Sequence, residues 1–212
     1  MKVSKEQARA NRRHIVETAA ALFRDRGFEG ISVADLMHAA GFTHGGFYRH
    51  FASKDELVTE ATQLAYAQLE RDMVGKSVEA LMARYLSRDH RDELATACPT
   101  STLGGEAMRQ ADPVRAVFAH GVDTWIGLIE EAIESEGHVL PADRRRAAID
   151  LAVRAVGGIV LARAAAGDPT LSDEILDRTL SSIRTTAREK IGTPRRGRLR
   201  ACPKDDCPQR SR

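Results

Sequence analysis

Apolar side chains recur along this chain at intervals of three and four residues, and the strict alternation of a half-buried strand is missing. The spacing predicts helix throughout. Ile15, Ala19, Leu22 and Phe23 share one stripe. Ser4 with Gln7 reads as a capping box that opens this helix, and Gly27 as the glycine that stops it. Ser32 with Asp35 starts a short second helix carrying Val33, Leu36 and Met37, and Gly41 ends it. A third short helix is predicted from about His44 to His50, capped by Thr43. Ser53 with Glu56 opens a long helix through Leu57, Ala61, Leu64 and Leu69 to about Val74, where Gly75 breaks it.

The pattern continues to about residue 191. Val78, Leu81, Met82, Tyr85 and Leu86 form the next apolar face. Cys98-Pro99 suits the start of a short helix running to about Gln110. Asp112-Pro113 reads as an N-cap followed by proline at N1, opening a helix that buries Val114, Val117, Phe118, Val122, Trp125, Ile129 and Ile133 and ends before Gly137. A helix over about 142–166 follows Pro141. Gly167-Asp168-Pro169 breaks it, and Ser172 is expected to cap a last helix to about Ile191.

Composition narrows the class. The chain has 212 residues, 42% hydrophobic and 29% charged, which is a globular balance with enough length for a core that needs neither disulfide nor metal. Its longest uncharged apolar stretch, Ala155 to Ala162, is far short of the ~18 residues of a membrane span. The charged N-terminus has no apolar segment behind it, which argues against a secretory signal. Three cysteines are too few for a disulfide framework, so a cytoplasmic location is expected. The net charge of +2 conceals a pattern. Residues 1–58 hold nine basic and seven acidic side chains, with four of the seven histidines. Residues 59–187 hold fourteen basic and twenty acidic, and residues 188–212 nine basic and three acidic. An acidic body repels phosphate; the head and the tail attract it.

Within the head, two short helices joined at Gly41-Phe42-Thr43 match a helix-turn-helix, whose second helix enters the DNA major groove. The same spacing also fits an ordinary structural element. Thr43, His44, Tyr48, Arg49 and His50 can all bond to phosphate or base edges. Gly45 and Gly46 allow close approach, at a cost of about 1 kcal/mol each relative to Ala in a helix. That cost points to a steric demand from outside the fold. Phe47 and Phe51 read as core.

The run from Gly30 to Leu36, then Ala40-Gly41-Phe42-Thr43, then Phe47 to Leu57 resembles the TetR/AcrR family of bacterial transcriptional regulators. The string Tyr48-Arg49-His50-Phe51-Ala52-Ser53-Lys54-Asp55-Glu56-Leu57 fits the family's Tyr-x-His-Phe-x-Ser-Lys-x-x-Leu pattern without a gap. The resemblance is specific over about residues 8–58. It implies an all-α fold of about nine helices: a DNA-binding domain over 1–53 and a ligand-binding and dimerisation domain over 54–191. Residues 192–212 are expected to form a basic, disordered tail. The implied function is a homodimeric repressor of a palindromic operator, released by a small molecule. By resemblance, Tyr48, His50 and Lys54 contact the DNA backbone; Arg49 is a DNA-binding candidate from its side-chain chemistry. Thr43, His44, Gly45 and Gly46 approach bases, and Ser32 lies near phosphate. Ala34 departs from members that read a base there. His44 is either protonated near phosphate or a neutral solvated side chain.

In the body, Val153, Val156, Gly157 and Val160 of one helix and Leu176, Leu180 and Ile183 of the next are expected to form a dimer interface, or else intramolecular core. Met82, Tyr85, Met108, Phe118, Trp125 and Ile129 either line an apolar ligand pocket or simply pack. Cys98, at a helix N-terminus, is either an electrophile or oxidant sensor or a buried inert thiol. Cys202 and Cys207 lack the spacing of a zinc site, and no cofactor is expected. Arg195, Arg196, Arg198 and Arg200 either attract phosphate or are solvated.

Two rivals from other classes remain. No phosphate loop, zinc-protease or nucleophile-elbow motif supports an enzyme. A protein-docking adaptor would use the same head, but Tyr48→Ala and Lys54→Ala would then leave a negligible duplex affinity unchanged.

Overall fold

The computed structural model describes residues 4–137 and 141–191, the side chains of Pro141 and of 187–191 excepted. All regular structure among the described residues is helical. In chain order the α-helices are α1 (Lys5–Arg26), α2 (Val33–Ala39), α3 (Lys54–Met73), α4 (Val78–Tyr85), α5 (Arg88–Asp92), α6 (Pro99–Ala107), α7 (Asp112–Glu136), α8 (Pro141–Ala164) and α9 (Pro169–Ile191). Two 3-10 helices, His44–Arg49 and Leu94–Thr96, lie between them. Arg195, Arg196, Arg198, Arg200, Cys202 and Cys207, and the tail reading as a whole, lie outside the described residues. No described helix is long and apolar enough to cross a membrane.

The helix starts follow from short polar side chains. Ser4, Ser32, Ser53, Ser77 and Ser87 each accept the amide of the residue three further on, a bond worth about 1 kcal/mol. At Ser53 the reciprocal half of the box is shifted by one residue: Glu56 accepts the Ala52 amide at 2.6 Å. Gly27 and Gly41 take φ of +79° where α1 and α2 end, a conformation other residues resist.

Several boundaries differ from the sequence reading. Ala111 rather than Asp112 caps α7, because Asp112 already has helical backbone and Pro113 is second in the helix. Asp168 rather than Ser172 caps α9, accepting the amides of Thr170 and Leu171. Ser172 is buried and donates to the Ala162 carbonyl, tying α9 to α8. The helix after Cys98 ends at Ala107, short of Gln110. The segment Arg88–Thr96, which carries no long apolar stripe, forms α5 and a 3-10 turn.

One continuous core runs from the head into the body. Ile15, Phe23, Phe28, Leu36, Met37, Phe47 and Phe51 lead into Leu57, Leu81, Met82, Tyr85, Trp125, Ile129 and Ile159. Phe28 in the head meets the edge of Phe118 in α7 at 6.2 Å between ring centroids. The α8–α9 pair packs closely at Gly158, where an added Cβ would lie 2.7 Å from Thr179.

Candidate nucleic-acid interface

The segment Thr43–Phe51 is held from within and free from without. Phe47 and Phe51 are buried and stack at 5.5 Å with an interplanar angle of 28°. Arg12 of α1 fixes the end of the segment. Its Nε donates to the His50 carbonyl at 3.1 Å, and its guanidinium lies 4.5 Å over the Phe51 ring. Glu56, at 2.8 Å, and Glu60 complete the anchor from α3. Hydrogen bonding to Glu60, then charge from both carboxylates, holds this guanidinium charged even above its ordinary range.

The outward face carries Thr43, His44, Gly45, Tyr48 and Arg49, all exposed, and Tyr48 is 70% accessible. Tyr48 stands edge-on to Phe47 at 5.2 Å and to His44 at 6.4 Å, so a buried ring positions an exposed one. Gly46 and His50 are half-buried. Thr43 occupies the N-cap position, but its hydroxyl makes no cap bond. An added Cβ on Gly45 would meet nothing within 4 Å, and one on Gly46 only ordinary contact with Met37 at 3.6 Å. Neither glycine has positive φ. Nothing inside the protomer therefore requires glycine at either position.

Two expected residues are already engaged. The Ser32 hydroxyl accepts the Asp35 amide and donates to the Asp35 carboxylate at 2.6 Å. Lys54 donates from Nζ to the Phe28 carbonyl at 2.6 Å, with Glu29 at 3.9 Å.

The body residues distribute differently from expectation. Tyr85, Met82, Cys98, Trp125 and Ile129 are buried at 0–1% accessibility and Phe118 at 6%. They fill space against one another. Tyr85 and Trp125 stack at 4.9 Å, the flat contact that excludes a cavity between them. Met108 is a correction: it is 73% exposed, because α6 has ended before it. An open groove of about 580 Å³ lies instead between α3 and α7, lined by Gln63, Tyr66, Glu70, Val117, His120 and Thr124 among others. The Tyr66 ring lies across Gly121, where any side chain would collide with it, and its hydroxyl pairs with Thr100 at 2.9 Å.

Val153, Gly157 and Val160 lie on an exposed face of α8, together with Ile149 and Leu161. Val156 and Leu180 are half-buried. Leu176 and Ile183 are corrections: both are buried in the protomer's own core, on the inner side of α9.

Sequence spacing missed a buried polar centre around Cys98. His90 Nδ1 bonds the Tyr85 carbonyl at 2.5 Å, which leaves Nε2 to accept the Cys98 amide at 2.9 Å. This fixes a neutral tautomer. Burial lowers the His90 pKa to about 4, helped by the charges of Arg163 and Arg84. Arg163 of α8 donates to the carbonyls of Arg91, Ser101 and His90 and to the Ser101 hydroxyl. Arg24 of α1 donates to the Ala20 and Ala97 carbonyls and to Gln68, and burial lowers its pKa to about 10. The Cys98 thiol is fully buried and caps nothing. Tyr85 Oη, with Cys98 and Ser101 as polar neighbours, and Trp125 Nε1 both lack a well-formed hydrogen bond. The partners in this centre lie up to 73 positions apart, so no local signal reveals them.

Residues 15–61 match the family described as bacterial regulatory proteins, tetR family. The transcriptional repressor KstR2 of Mycobacterium tuberculosis is 43% identical over 54 residues, 26% of this chain and 27% of KstR2. The match thus spans about a quarter of that relative's length. A TetR transcriptional regulator from Chloroflexus aurantiacus superposes with a TM-score of 0.71 at 24% identity, over 87% of this chain and 98% of its own. AibR, solved in complex with isovaleryl coenzyme A and operator DNA, superposes with a TM-score of 0.55 at 21% identity, over 82% of this chain and 97% of its own. Residues 15–61 thus carry the sequence pattern of the tetR family of bacterial regulatory proteins, and the helical body shares the fold of such regulators.

Proposed function

We propose that the chain is a cytoplasmic transcriptional repressor that binds a palindromic operator as a homodimer and leaves it when a small molecule occupies the body. Residues 1–53 form the DNA-binding part and 54–191 the ligand-binding and dimerising part. The observation that carries this reading is the Thr43–Phe51 segment. Its two phenylalanines are locked inward, and Thr43, His44, Tyr48 and Arg49 project outward past two glycines that the fold does not require. Such a surface fits a major groove, where short side chains and bare backbone reach base edges while Tyr48, Arg49, His50 and Lys54 meet phosphate.

The exposed stripe Ile149, Val153, Gly157 and Val160 supports dimerisation through α8, with α9 beside it. A two-fold dimer places two reading segments on one face, as a palindrome demands. The α3–α7 groove supports effector entry, since α3 starts directly after the reading segment. AibR, solved with isovaleryl coenzyme A and operator DNA, supports a body of this fold that takes a small molecule while its head takes DNA.

The test is fluorescence anisotropy against duplexes tiling the region upstream of the chain's own gene, at two salt concentrations. One tile bound well above the rest, with Tyr48→Ala weakening it about tenfold or more and leaving the melting temperature unchanged, is the expected result. Equal weak binding to all tiles, insensitive to Tyr48→Ala, overturns the reading in favour of an adaptor.

A second reading of the effector, an electrophile caught at Cys98, is favoured by two guanidinium groups bonded beside it, Arg24 on the Ala97 carbonyl and Arg163 on the Ser101 carbonyl. It predicts that Cys98→Ser abolishes release of DNA on treatment with a mild electrophile; an unchanged response removes it.

A further inference from the structure

The interior of the body is rich in donors and short of acceptors. Tyr85 Oη and Trp125 Nε1 are buried and neither makes a hydrogen bond. An indole N–H can only donate, and a phenol donates readily. Tyr85 Oη has Cys98 and Ser101 as neighbours and feels the charge of Arg163. Trp125 stacks on the same ring, so both groups belong to one aromatic plate.

Two cations serve the same region. Every partner of the Arg163 guanidinium is a neutral oxygen: the carbonyls of His90, Arg91 and Ser101 and the Ser101 hydroxyl. Arg24, bonded just before the first turn of α6, likewise meets only the carbonyls of Ala20 and Ala97 and the side chain of Gln68. The carboxylate that α6 itself carries is engaged elsewhere, because Glu106 accepts the Phe28 amide at 2.9 Å. A cation taken out of water is costly without a counter-charge. Unpartnered donors beside unneutralised guanidinium groups are the complement of an anionic oxygen.

The α3–α7 groove leads toward this centre. Tyr66 lines the groove and bonds Thr100 of α6 at 2.9 Å, one residue before Ser101. Thr124 lines it too and precedes Trp125. Pro113, Ala116 and Val117 give the groove an apolar share, and Glu70 gives it a carboxylate. An anion in the groove is repelled by Glu70 and drawn inward by Arg163.

We propose that the small-molecule site of the body takes an amphipathic organic carboxylate, whose oxygens accept from Tyr85 Oη beside Arg163 while its apolar part lies in the α3–α7 groove. Trp125 Nε1 offers a second donor. Tyr66 stands between groove and centre and turns off Gly121 to admit the ligand. The inference rests on the reading above that the body takes a small molecule, and it names the class of that molecule. A neutral amide of the same shape can accept from Tyr85 but does not neutralise Arg163, and an amine does neither.

Trp125 is the single tryptophan of the chain, so its emission reports on this site. The full-length chain is titrated with hexanoate, octanoate and phenylacetate, with their amides, and with hexylamine and octylamine, while emission and melting temperature are followed. At least one carboxylate is expected to saturate the emission change and raise the melting temperature, at about tenfold or more higher affinity than its amide. The amines are expected to give no saturable change. Tyr85→Phe removes only an unpartnered hydroxyl, so the free variant should melt at the wild-type temperature or above. It should nevertheless lose most of the carboxylate's advantage over the amide. Equal affinity for carboxylate and amide, no saturable response to any of the three carboxylates, or a Tyr85→Phe variant that binds carboxylate as tightly as wild type overturns the proposal. Repeating the titrations on the chain bound to its selected duplex separates this site from the reading beneath it. A carboxylate that binds without releasing the duplex supports the site and overturns release by ligand. A duplex bound normally by a chain that answers to no carboxylate overturns the site and leaves DNA binding standing.

Discussion

The head and the body place their polar chemistry on opposite sides of the fold. In the head, aromatic side chains fill the inside and the hydrogen-bonding groups of Thr43, His44, Tyr48 and Arg49 face water. In the body, His90, Ser101 and Arg163, joined by Arg24 reaching in from α1, are turned inward and satisfied mostly by backbone carbonyls, while the outer face of α8 carries valine and leucine. An outward polar surface costs the fold little and is free to meet a ligand. An inward one is integral to stability, because each carbonyl left without its donor inside costs about 1–3 kcal/mol. The two regions should therefore answer mutation in opposite ways.

Arg163→Met should have the largest effect. It strips donors from three carbonyls and one hydroxyl at once, and a loss of about 3 kcal/mol or more in urea unfolding is expected. A loss below 1 kcal/mol would mean that the centre is wet or easily rearranged, and the contrast with the head would collapse.

Acid should act on the body before the head. His90 is neutral in the fold with a pKa of about 4, against about 6.5 unfolded. Below pH 6.5 the unfolded chain takes up a proton that the folded chain refuses. Stability is thus full above that pH and falls by up to about 1.4 kcal/mol per unit down to pH 4. Urea midpoints measured from pH 7 to 4 check this. His90→Gln, which can still accept the Cys98 amide, should flatten the slope between 6.5 and 4.

Gly45→Ala should have the smallest effect on folding and the opposite sign. Its Cβ enters open space, so stability should rise by up to about 1 kcal/mol, while duplex affinity falls. A variant that gains stability and keeps affinity would show that nothing outside the protomer needs the glycine.

The same contrast explains what was legible in the sequence. Helix starts at Ser4, Ser32 and Ser53 depend on partners three residues away, so they were readable. The exposed face of the reading segment followed from Phe47 and Phe51 alternating with polar neighbours. Leu176 and Ile183 read equally as dimer interface or intramolecular core, because an apolar stripe does not say which neighbour it meets; both turn inward against the chain's own core. Met108 reads as a pocket or packing residue on a helix expected to reach Gln110, but α6 ends at Ala107 and leaves it in solvent. His90, Arg163 and Glu106 were not singled out at all. Their partners lie 62 to 78 residues away for Arg163 and Glu106, and an isolated charged residue in a helical stretch looks like any solvated one.

Arg24 and Phe28 carry a consequence for anyone who would exchange parts between such proteins. Both belong by position to the segment that a graft would cut after residue 53. Yet Arg24 is bonded to Gln68 and Ala97, and Phe28 to Glu106 and the ring of Phe118. A transplanted head would arrive with a buried cation and an aromatic ring shaped for sockets that the recipient lacks. A working chimera must carry residues 68, 97, 106 and 118 along with the first 53, so the unit of exchange is a surface of fit, not a stretch of chain.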